Sequence, residues 1–413
     1  MEFLSGKRIL LGITGGIAAY KAAELTRLLV TAGAQVRVVM TQGAQAFITP
    51  LSLQALSGNP VHHTLLDETA EAGMGHIELA RWADHILVAP ASANCMARLA
   101  HGMADDLLTT CCLASESPIS LAPAMNRVMW ENPQTQKNVQ QLLENGVAIL
   151  GPADGSQACG ETGPGRMLEA GHLAQLISDS FSSDLLGGLS VMITAGPTRE
   201  AIDAVRFISN RSSGKMGFAI ARAAREAGAK VTLVSGPVTL ETPSGVERID
   251  IETAEQMGQA VLDKITNHHI LVGSAAVSDY VPASTHQGKM KKTDSSLSIG
   301  LTPSIDIMQA VGSLEKRPFT VGFAAETDNL EQYAQGKRRQ KHMDMIAANL
   351  VGQDDRGFEV DDNELIVFWE GGQQMLPLSD KNKIARQLIQ LISQQYLIGH
   401  GQIEHGEKLG VKS

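Results

Sequence analysis

Cysteine is scarce. Four residues, at positions 95, 111, 112 and 159 of a 413-residue chain, are too few for a disulfide framework, and no two form a CxxC pair. That argues against a cross-linked secreted scaffold and a structural zinc site, and a reducing cytoplasm is the expected compartment. Basic charge is short as well. Thirty-four Lys and Arg against 44 Asp and Glu leave a formal net charge of −10, which argues against a nucleic-acid groove while leaving room for small phosphate pockets. Long apolar runs are missing too. The first one is broken by Gly15 and Gly16 and followed closely by Lys21, so it is a poor signal peptide and too short to span a bilayer. Neither membrane nor nucleic acid is therefore expected as a partner.

What is present is one pattern used twice. "KRILLGITGGIAAYKAAELTRLLVTAGAQVRVVMT" predicts a strand at Ile9–Ile13, a glycine turn, a helix at Ala18–Leu29 closed by Gly33, and a strand at Val36–Met40. The pattern returns with strand Val191–Ala195, a long loop, helix Gly217–Ala227 and strand Lys230–Ser235. At this length two domains are natural, and the polar stretch "SDSFSSDLLGGLS" (178–190) separates them. The expected division is 1–180, a linker at 181–189, a second domain at 190–398 and a flexible tail at 399–413. Each half is expected to be a doubly wound, Rossmann-like α/β domain. Neither glycine turn matches GxGxxG, and the second strand ends in Thr41 and Gln42 without a ribose-reading acid. A nicotinamide dinucleotide is therefore disfavoured; FMN needs only a phosphate cradle and apolar walls.

Candidate ligand loops follow strands, where open α/β sheets bind. "MGHIELARWAD" sets His76 ahead of a helix, "LVAPASANCMARLA" carries Ser92 and Asn94, and "LAPAMNRVMWENP" carries Asn126 and Trp130. "SQACGETGPGRM" (156–167) puts Cys159 on a glycine-rich flap. Taken singly, His76 reads as a cap, Asn126 as a turn residue and Cys159 as incidental.

Together, "GITGGIAAYK", "GHIELARWAD", "PAMNRVMW" and "ACGETGPGRM" resemble the flavin-containing cysteine decarboxylase family, in its branch acting on phosphopantothenoylcysteine. Its PxMNxxMW motif is complete at Pro123–Trp130 and its flap motif at Ala158–Met167. The resemblance implies a flavodoxin-like flavoprotein domain in which FMN oxidises the substrate thiol toward a thioaldehyde, carbon dioxide leaves as an enethiol forms, and reduction follows. It implies that Cys159 is the proton donor, that His76 assists thiol oxidation and that Asn126 binds the substrate carboxylate. Gly15, Gly16, Thr41, Ser92 and Asn94 are the expected FMN contacts. Arg166 either meets substrate phosphate or anchors the flap.

In the second half, "TAGPTREAIDAVRFISNRSSGKMG" (194–217) gathers Arg199, Arg206, Asn210, Arg211, Ser212, Ser213 and Lys215 in one connection. Loops this long in compact domains are often functional, and arginine reads carboxylates and phosphates bidentately. With "VGSAAVSDYVP", "GKMKK", "VGFAAETDN" and "GKRRQKHMDMIAANLV", this set resembles phosphopantothenate–cysteine ligases, which often follow the decarboxylase in one chain. The implied activity is joining 4′-phosphopantothenate to L-cysteine through an acyl-cytidylate made from CTP, so that the whole chain covers two steps of coenzyme A biosynthesis. Asn210 and Arg206 would hold the acyl intermediate, and Lys289 would act in the second half-reaction. Gly273, Ser274, Ala275, Asp279, Lys289, Ile305, Asp306, Ile307, Met308, Phe323, Lys337 and Lys341 would form the CTP site, with Mg²⁺ or Mn²⁺ on Asp279. The chain departs from the usual ligase pattern at Ala201, Ala204, Phe207 and Arg211, at Ser278 in place of alanine, and in "SIDI" (304–307) in place of NPDI. The resemblance also implies a large homo-oligomer, with trimeric decarboxylase and dimeric ligase contacts that could build a dodecamer. Two other readings stand against it: a flavin-binding regulatory protein without full activity, and a flavin oxidoreductase with a nicotinamide-binding second half.

Overall fold

The computed structural model describes residues 1–65, 75–158, 160–291, 297–326, 330–350 and 362–407. Its first strand, β1 (Arg8–Ile13), is buried from Ile9 onward. Alternate side chains leave opposite faces of a strand. Ile9, Leu11 and Ile13 accordingly enter one apolar cluster with Leu25, Leu29 and Leu173, while Leu10 enters another with Val88, Leu108 and Leu142. Two covered faces explain the unbroken apolar run.

The chain divides into two compact units between Phe181 and Ser182. In the first, β1 is followed by α1 (Tyr20–Thr31), β2 (Gln35–Met40), α2 (Pro50–Ser57), β3 (Val61–His62), α3 (Gly75–Trp82) and β4 (His85–Ala91). Then come α4 (Ala93–Ala100), α5 (Leu107–Leu113), β5 (Ile119–Pro123), α6 (Arg127–Glu131), α7 (Pro133–Glu144) and β6 (Ala148–Ile149). The parallel sheet runs β3-β2-β1-β4-β5-β6, so strand order reverses between β1 and β4. That reversal opens a crevice at the carboxyl ends of the strands. A hairpin of β7 (Ala153–Ser156) and β8 (Thr162–Arg166) precedes α8 (Ala170–Asp179). Glycine and proline in this segment predict a loop. An antiparallel ribbon forms instead, because Gly155, Gly163 and Gly165 take φ of 150°, 145° and 139°, a range open to glycine alone.

The cysteines at 95, 111 and 112 are packed into the second cluster, and burial pushes the thiols of Cys95 and Cys111 up to about 12. His85 is buried as well, bonded to Ser120 Oγ at 2.9 Å. Burial holds it down to about 4, with Asp84 pulling weakly the other way. Between pH 6.5 and about 4 the unfolded chain therefore binds the extra proton, and stability falls as pH drops through that window. The loss should approach about 3 kcal/mol. Urea unfolding at about pH 7 and about pH 4.5 should show it, and His85→Gln should flatten the acid side.

The second unit builds β9 (Ser190–Ala195), the ribbon β10 (Arg199–Ala201) and β11 (Phe207–Ser209), α9 (Lys215–Glu226), β12 (Lys230–Ser235), β13 (Val246–Asp250) and α10 (Ala254–Lys264). It continues with β14 (Ile270–Gly273), a second ribbon of β15 (Tyr280–Pro282) and β16 (Leu301–Pro303), α11 (Ile307–Gly312), β17 (Phe319–Glu326), α12 (Leu330–Gln340) and β18 (Met345–Leu350). β19 (Asp362–Trp369), β20 (Gly372–Asp380) and α13 (Lys381–Glu407) close it. The sheet runs β13-β12-β9-β14-β17-β18-β19-β20, parallel up to β18 and antiparallel beyond. α13 packs on α9 through Ala385, Leu388 and Ile392, and continues past residue 398, where the sequence ends the domain.

Candidate functional site

At the crevice of the first unit, Thr14 ties the exits of β1 and β4 together. Its hydroxyl donates to the Pro90 carbonyl (2.8 Å) and accepts from the Ser92 amide (2.9 Å). Ser92 caps α4, its Oγ accepting from the Cys95 amide at 3.3 Å, and Asn94 is exposed in the first turn. Thr41 bonds back to the Ile13 carbonyl through its amide (3.0 Å). Space is tight at Gly15, where a Cβ would stand 3.0 Å from the Gly43 backbone and force it to give, whereas a Cβ at Gly16 would have no described atom within 4 Å beyond its chain neighbours. The five expected flavin contacts thus gather at the ends of β1, β2 and β4. Amides of the α4 first turn, space over Gly16 and exposed apolar Ile17 suit a phosphate and a flat apolar ring.

Beside this crevice lies a cavity of about 460 Å³ walled by Ile17, Lys21, Asn126, Gln157, Ala158 and Arg166, among others. Asn126 caps α6 by accepting from the Val128 amide (2.8 Å), which leaves its Nδ2 to donate to Glu161 Oε2 at 2.9 Å. A flap carboxylate therefore already accepts from the group expected to bind one. Gln157 staples the flap to this segment, accepting from the Arg127 amide at 3.0 Å and donating to the Pro164 carbonyl at 3.1 Å. Cys159 lies outside the described residues, between Ala158 and Gly160. Arg166 both lines the cavity and pairs with Glu169 at 3.3 Å. His76, half-buried in the first turn of α3, is not among the lining residues; its carbonyl accepts from Cys111 Sγ at 3.6 Å.

Two lining residues escape the sequence reading. Lys21 is buried, its Nζ donating to the Met167 carbonyl (3.2 Å) and Glu169 Oε1 (2.7 Å). That bond lowers the Glu169 carboxyl below its ordinary value. A signal existed: position 21 is three after Ala18 and four before Leu25, on the apolar face of a helix. Gln157 carried none.

In the second unit two cavities of about 430 and 510 Å³ share Ala275, Val277, Asp279, Phe323 and Lys337. The first adds Gly273, Lys341 and Ile305–Met308, all expected at the nucleotide, with Lys341 Nζ 2.9 Å from Asp306. The second adds Asn210, Arg211, Lys215 and Ser274, together with Asn363 and Lys381. Asn210 Nδ2 donates to the Val277 carbonyl at 2.9 Å. Arg206 and Lys289 line neither cavity, and the Arg206 guanidinium turns to Asp203 instead. The Asp279 carboxylate makes no hydrogen bond or ion pair among the described residues, nor do those residues hold a three-residue metal cluster. Asn363 and Lys381 were missed because β19 and α13 carry no motif.

Ser278 sits just behind the shared wall. Its backbone is engaged, the amide by Thr198 Oγ1 (3.1 Å) and the carbonyl by Ser304 Oγ, but its own buried hydroxyl has no partner among the described residues. An orphaned hydroxyl is destabilising, so Ser278→Ala should raise stability by about 1 kcal/mol, seen as a thermal midpoint higher by about 2–4 °C.

A family model described as Flavoprotein matches residues 2–182, and one described as DNA/pantothenate metabolism flavoprotein C-terminal domain matches residues 186–396. The coenzyme A biosynthesis bifunctional protein CoaBC of Vibrio cholerae is 54% identical over 398 residues, covering 96% of this chain and 100% of that relative. Its namesake in Escherichia coli K12 is 51% identical over 398 residues, covering 95% and 98%. The solved C-terminal domain of a protein of this name is 39% identical and covers 51% of this chain and 97% of its own, with a TM-score of 0.45.

Proposed function

This chain belongs to the family of bifunctional coenzyme A biosynthesis proteins, and on that premise we propose how its residues divide the labour. It is an enzyme with a flavoprotein decarboxylase in its first half and a phosphopantothenate–cysteine ligase in its second. Ligation comes first. CTP occupies the 430 Å³ cavity, with Lys337 and Lys341 against the triphosphate. Asp279 would hold Mg²⁺, which would supply positive charge against the triphosphate. The acid lies in the 510 Å³ cavity, its carboxylate near Asn210. The observation that carries this reading is the wall common to both cavities, which lets a carboxylate oxygen meet the α-phosphorus. Pyrophosphate leaves as the acyl-cytidylate forms; the cysteine amine then attacks the acyl carbon, loses a proton and expels CMP. Activation replaces a poor leaving group with a good one.

Decarboxylation follows on the other unit. Gly15, Gly16, Thr41, Ser92 and Asn94 would hold FMN, which would supply a reversible two-electron acceptor. Asn126 holds the substrate carboxylate with the Nδ2 that otherwise donates to Glu161. His76 assists at the substrate thiol, and Cys159 delivers the final proton. The flap, pinned by Gln157, keeps water out. Exposed apolar residues Ile17 and Tyr20 beside this cavity support a subunit contact within a large homo-oligomer. No described helix is long and apolar enough to cross a membrane, and we assign the enzyme to the cytoplasm.

Lys289→Gln tests the ligase half. Amide formation should fall about 100-fold or more, while decarboxylation of added phosphopantothenoylcysteine continues at the native rate. Parallel assays of CMP and carbon dioxide check it, and equal loss of both would refute the division.

A further inference from the structure

Lys289 is exposed, so the backbone beside it decides where its ammonium can reach. That backbone is pinned at Met290. Its amide donates to Asp203 Oδ2 at 3.1 Å and its carbonyl accepts from Arg206 Nη2 at 3.0 Å. Asp203 is saturated from the other side. Its Oδ1 accepts from the amides of Val205 (2.8 Å) and Arg206 (2.7 Å), and its Oδ2 from Arg206 Nε (2.9 Å) and Nη2. The carboxylate is 0% exposed in a loop whose Arg206 partner is 46% exposed. The Arg206 guanidinium beside it, aided by these amides, holds its carboxyl well below the usual range.

Further contacts lay the same segment along the first ribbon. The His286 amide donates to the Ile202 carbonyl (3.0 Å) and Thr285 Oγ1 to the Ala201 carbonyl (3.2 Å). This ribbon, β10–β11, ends at Ser209, next to Asn210. One buried carboxylate at the ribbon's turn therefore joins the two segments that carry Asn210 and Lys289.

We propose that Asp203, through Arg206 and the Met290 backbone, is a positioning residue that fixes Lys289 relative to Asn210 for the cysteine step of ligation. The inference rests on the roles given above to Asn210 and Lys289, and adds a residue that touches no substrate. It also reassigns the Arg206 of this chain to a latch. Misplacement of a catalytic group by about 1 Å costs up to about 100-fold, which sets the effect to look for.

The test uses the full-length enzyme as native protein, Asp203→Asn, Lys289→Gln and the double variant. Pyrophosphate release in the first turnover, without cysteine, reports activation; cysteine-dependent CMP release reports capture; trypsin cutting after Lys289 reports the latch. Asp203→Asn should slow capture about 10- to 100-fold with activation kept within about threefold, and should speed cutting after Lys289. The double variant should be no slower in capture than Lys289→Gln, because the two act as a unit. Native capture in Asp203→Asn, equal slowing of both steps, or multiplied losses in the double variant would overturn the proposal. Should Lys289→Gln itself capture cysteine normally, the ligase roles fall, whatever trypsin shows. If Lys289→Gln is impaired and Asp203→Asn is not, only the positioning role falls. Retained activation reports that the unit holding Asp203 is folded, decarboxylase activity serves to normalise the amount of enzyme, and the neutral pair Asp203→Asn, Arg206→Gln, which leaves no orphaned charge, replaces the single variant if that one is lost.

Discussion

Cys159→Ser should still release carbon dioxide from phosphopantothenoylcysteine and yet yield almost no phosphopantetheine. A positioned general acid contributes roughly 100- to 10,000-fold, so product formation should fall by that factor, while carbon dioxide release in the first turnover, before reduced flavin accumulates, stays within about threefold. A thiol of ordinary pKa, near ~8.5, is protonated at neutral pH and suits the task; serine holds its proton far more tightly. No other cysteine can substitute. Those at 95, 111 and 112 are sealed in the apolar cluster, with thiols raised by burial. Trapped carbon dioxide and chromatographed thiol products, measured on one reaction, decide the matter; normal phosphopantetheine output would remove Cys159 from the mechanism.

Gly165→Ala should be nearly as damaging, for a reason of space alone. At φ 139° a side chain is strained wherever it points, and here its Cβ would stand 2.3 Å from the Met125 carbonyl oxygen and 2.7 Å from Gln157 Nε2. The same two residues hold the flap down: the Met125 amide donates to the Gly165 carbonyl at 3.0 Å, and Gln157 Nε2 donates to the Pro164 carbonyl at 3.1 Å. A methyl group must lift the β7–β8 ribbon off the β5–α6 loop. Decarboxylase turnover should drop about 100-fold, with ligase activity in the same molecules unchanged. Gly160→Ala is the control, since among the described residues, its chain neighbours aside, no heavy atom lies within 4 Å of its Cβ position; though strained by its φ of 86°, it should cost far less.

The strands and helices that open each unit were legible because a doubly covered strand needs an unbroken apolar run and an amphipathic helix a regular stripe. Val36–Met40 and Val191–Ala195 fall within β2 and β9, and Lys230–Ser235 coincides with β12. The ribbons were not legible. β7–β8 is made of residues with almost no strand propensity, and its pairing is allowed by mirror-image glycine backbone, which a rule keyed to side chains overlooks. The antiparallel strands β19 and β20 announced no function, and so the reading passed over Asn363. Among the candidate site residues, Ser92 was named from its place in a small-residue loop after a strand, and Ile305–Met308 only from the resemblance to the ligase pattern. Lys21 left a trace, a cation on the apolar face of a helix, but nothing local named its partners Met167 and Glu169. Asp203 left none: its bonds to Val205 and Arg206 are local, while the one that matters for the site reaches Met290, 87 residues on, and one-dimensional patterns carry no record of such a pairing.

Asp279, Phe323 and Lys337 line both cavities of the second unit, and on the roles proposed above that sharing has an evolutionary cost. A change at any of the three would be pleiotropic, reaching nucleotide and acid alike. Drift in base preference would then be channelled toward Ile305–Met308, and drift in acid preference toward Asn363 and Lys381, which line one cavity each. Directed evolution for an altered nucleotide should find its first gains in that segment and leave the shared lining untouched.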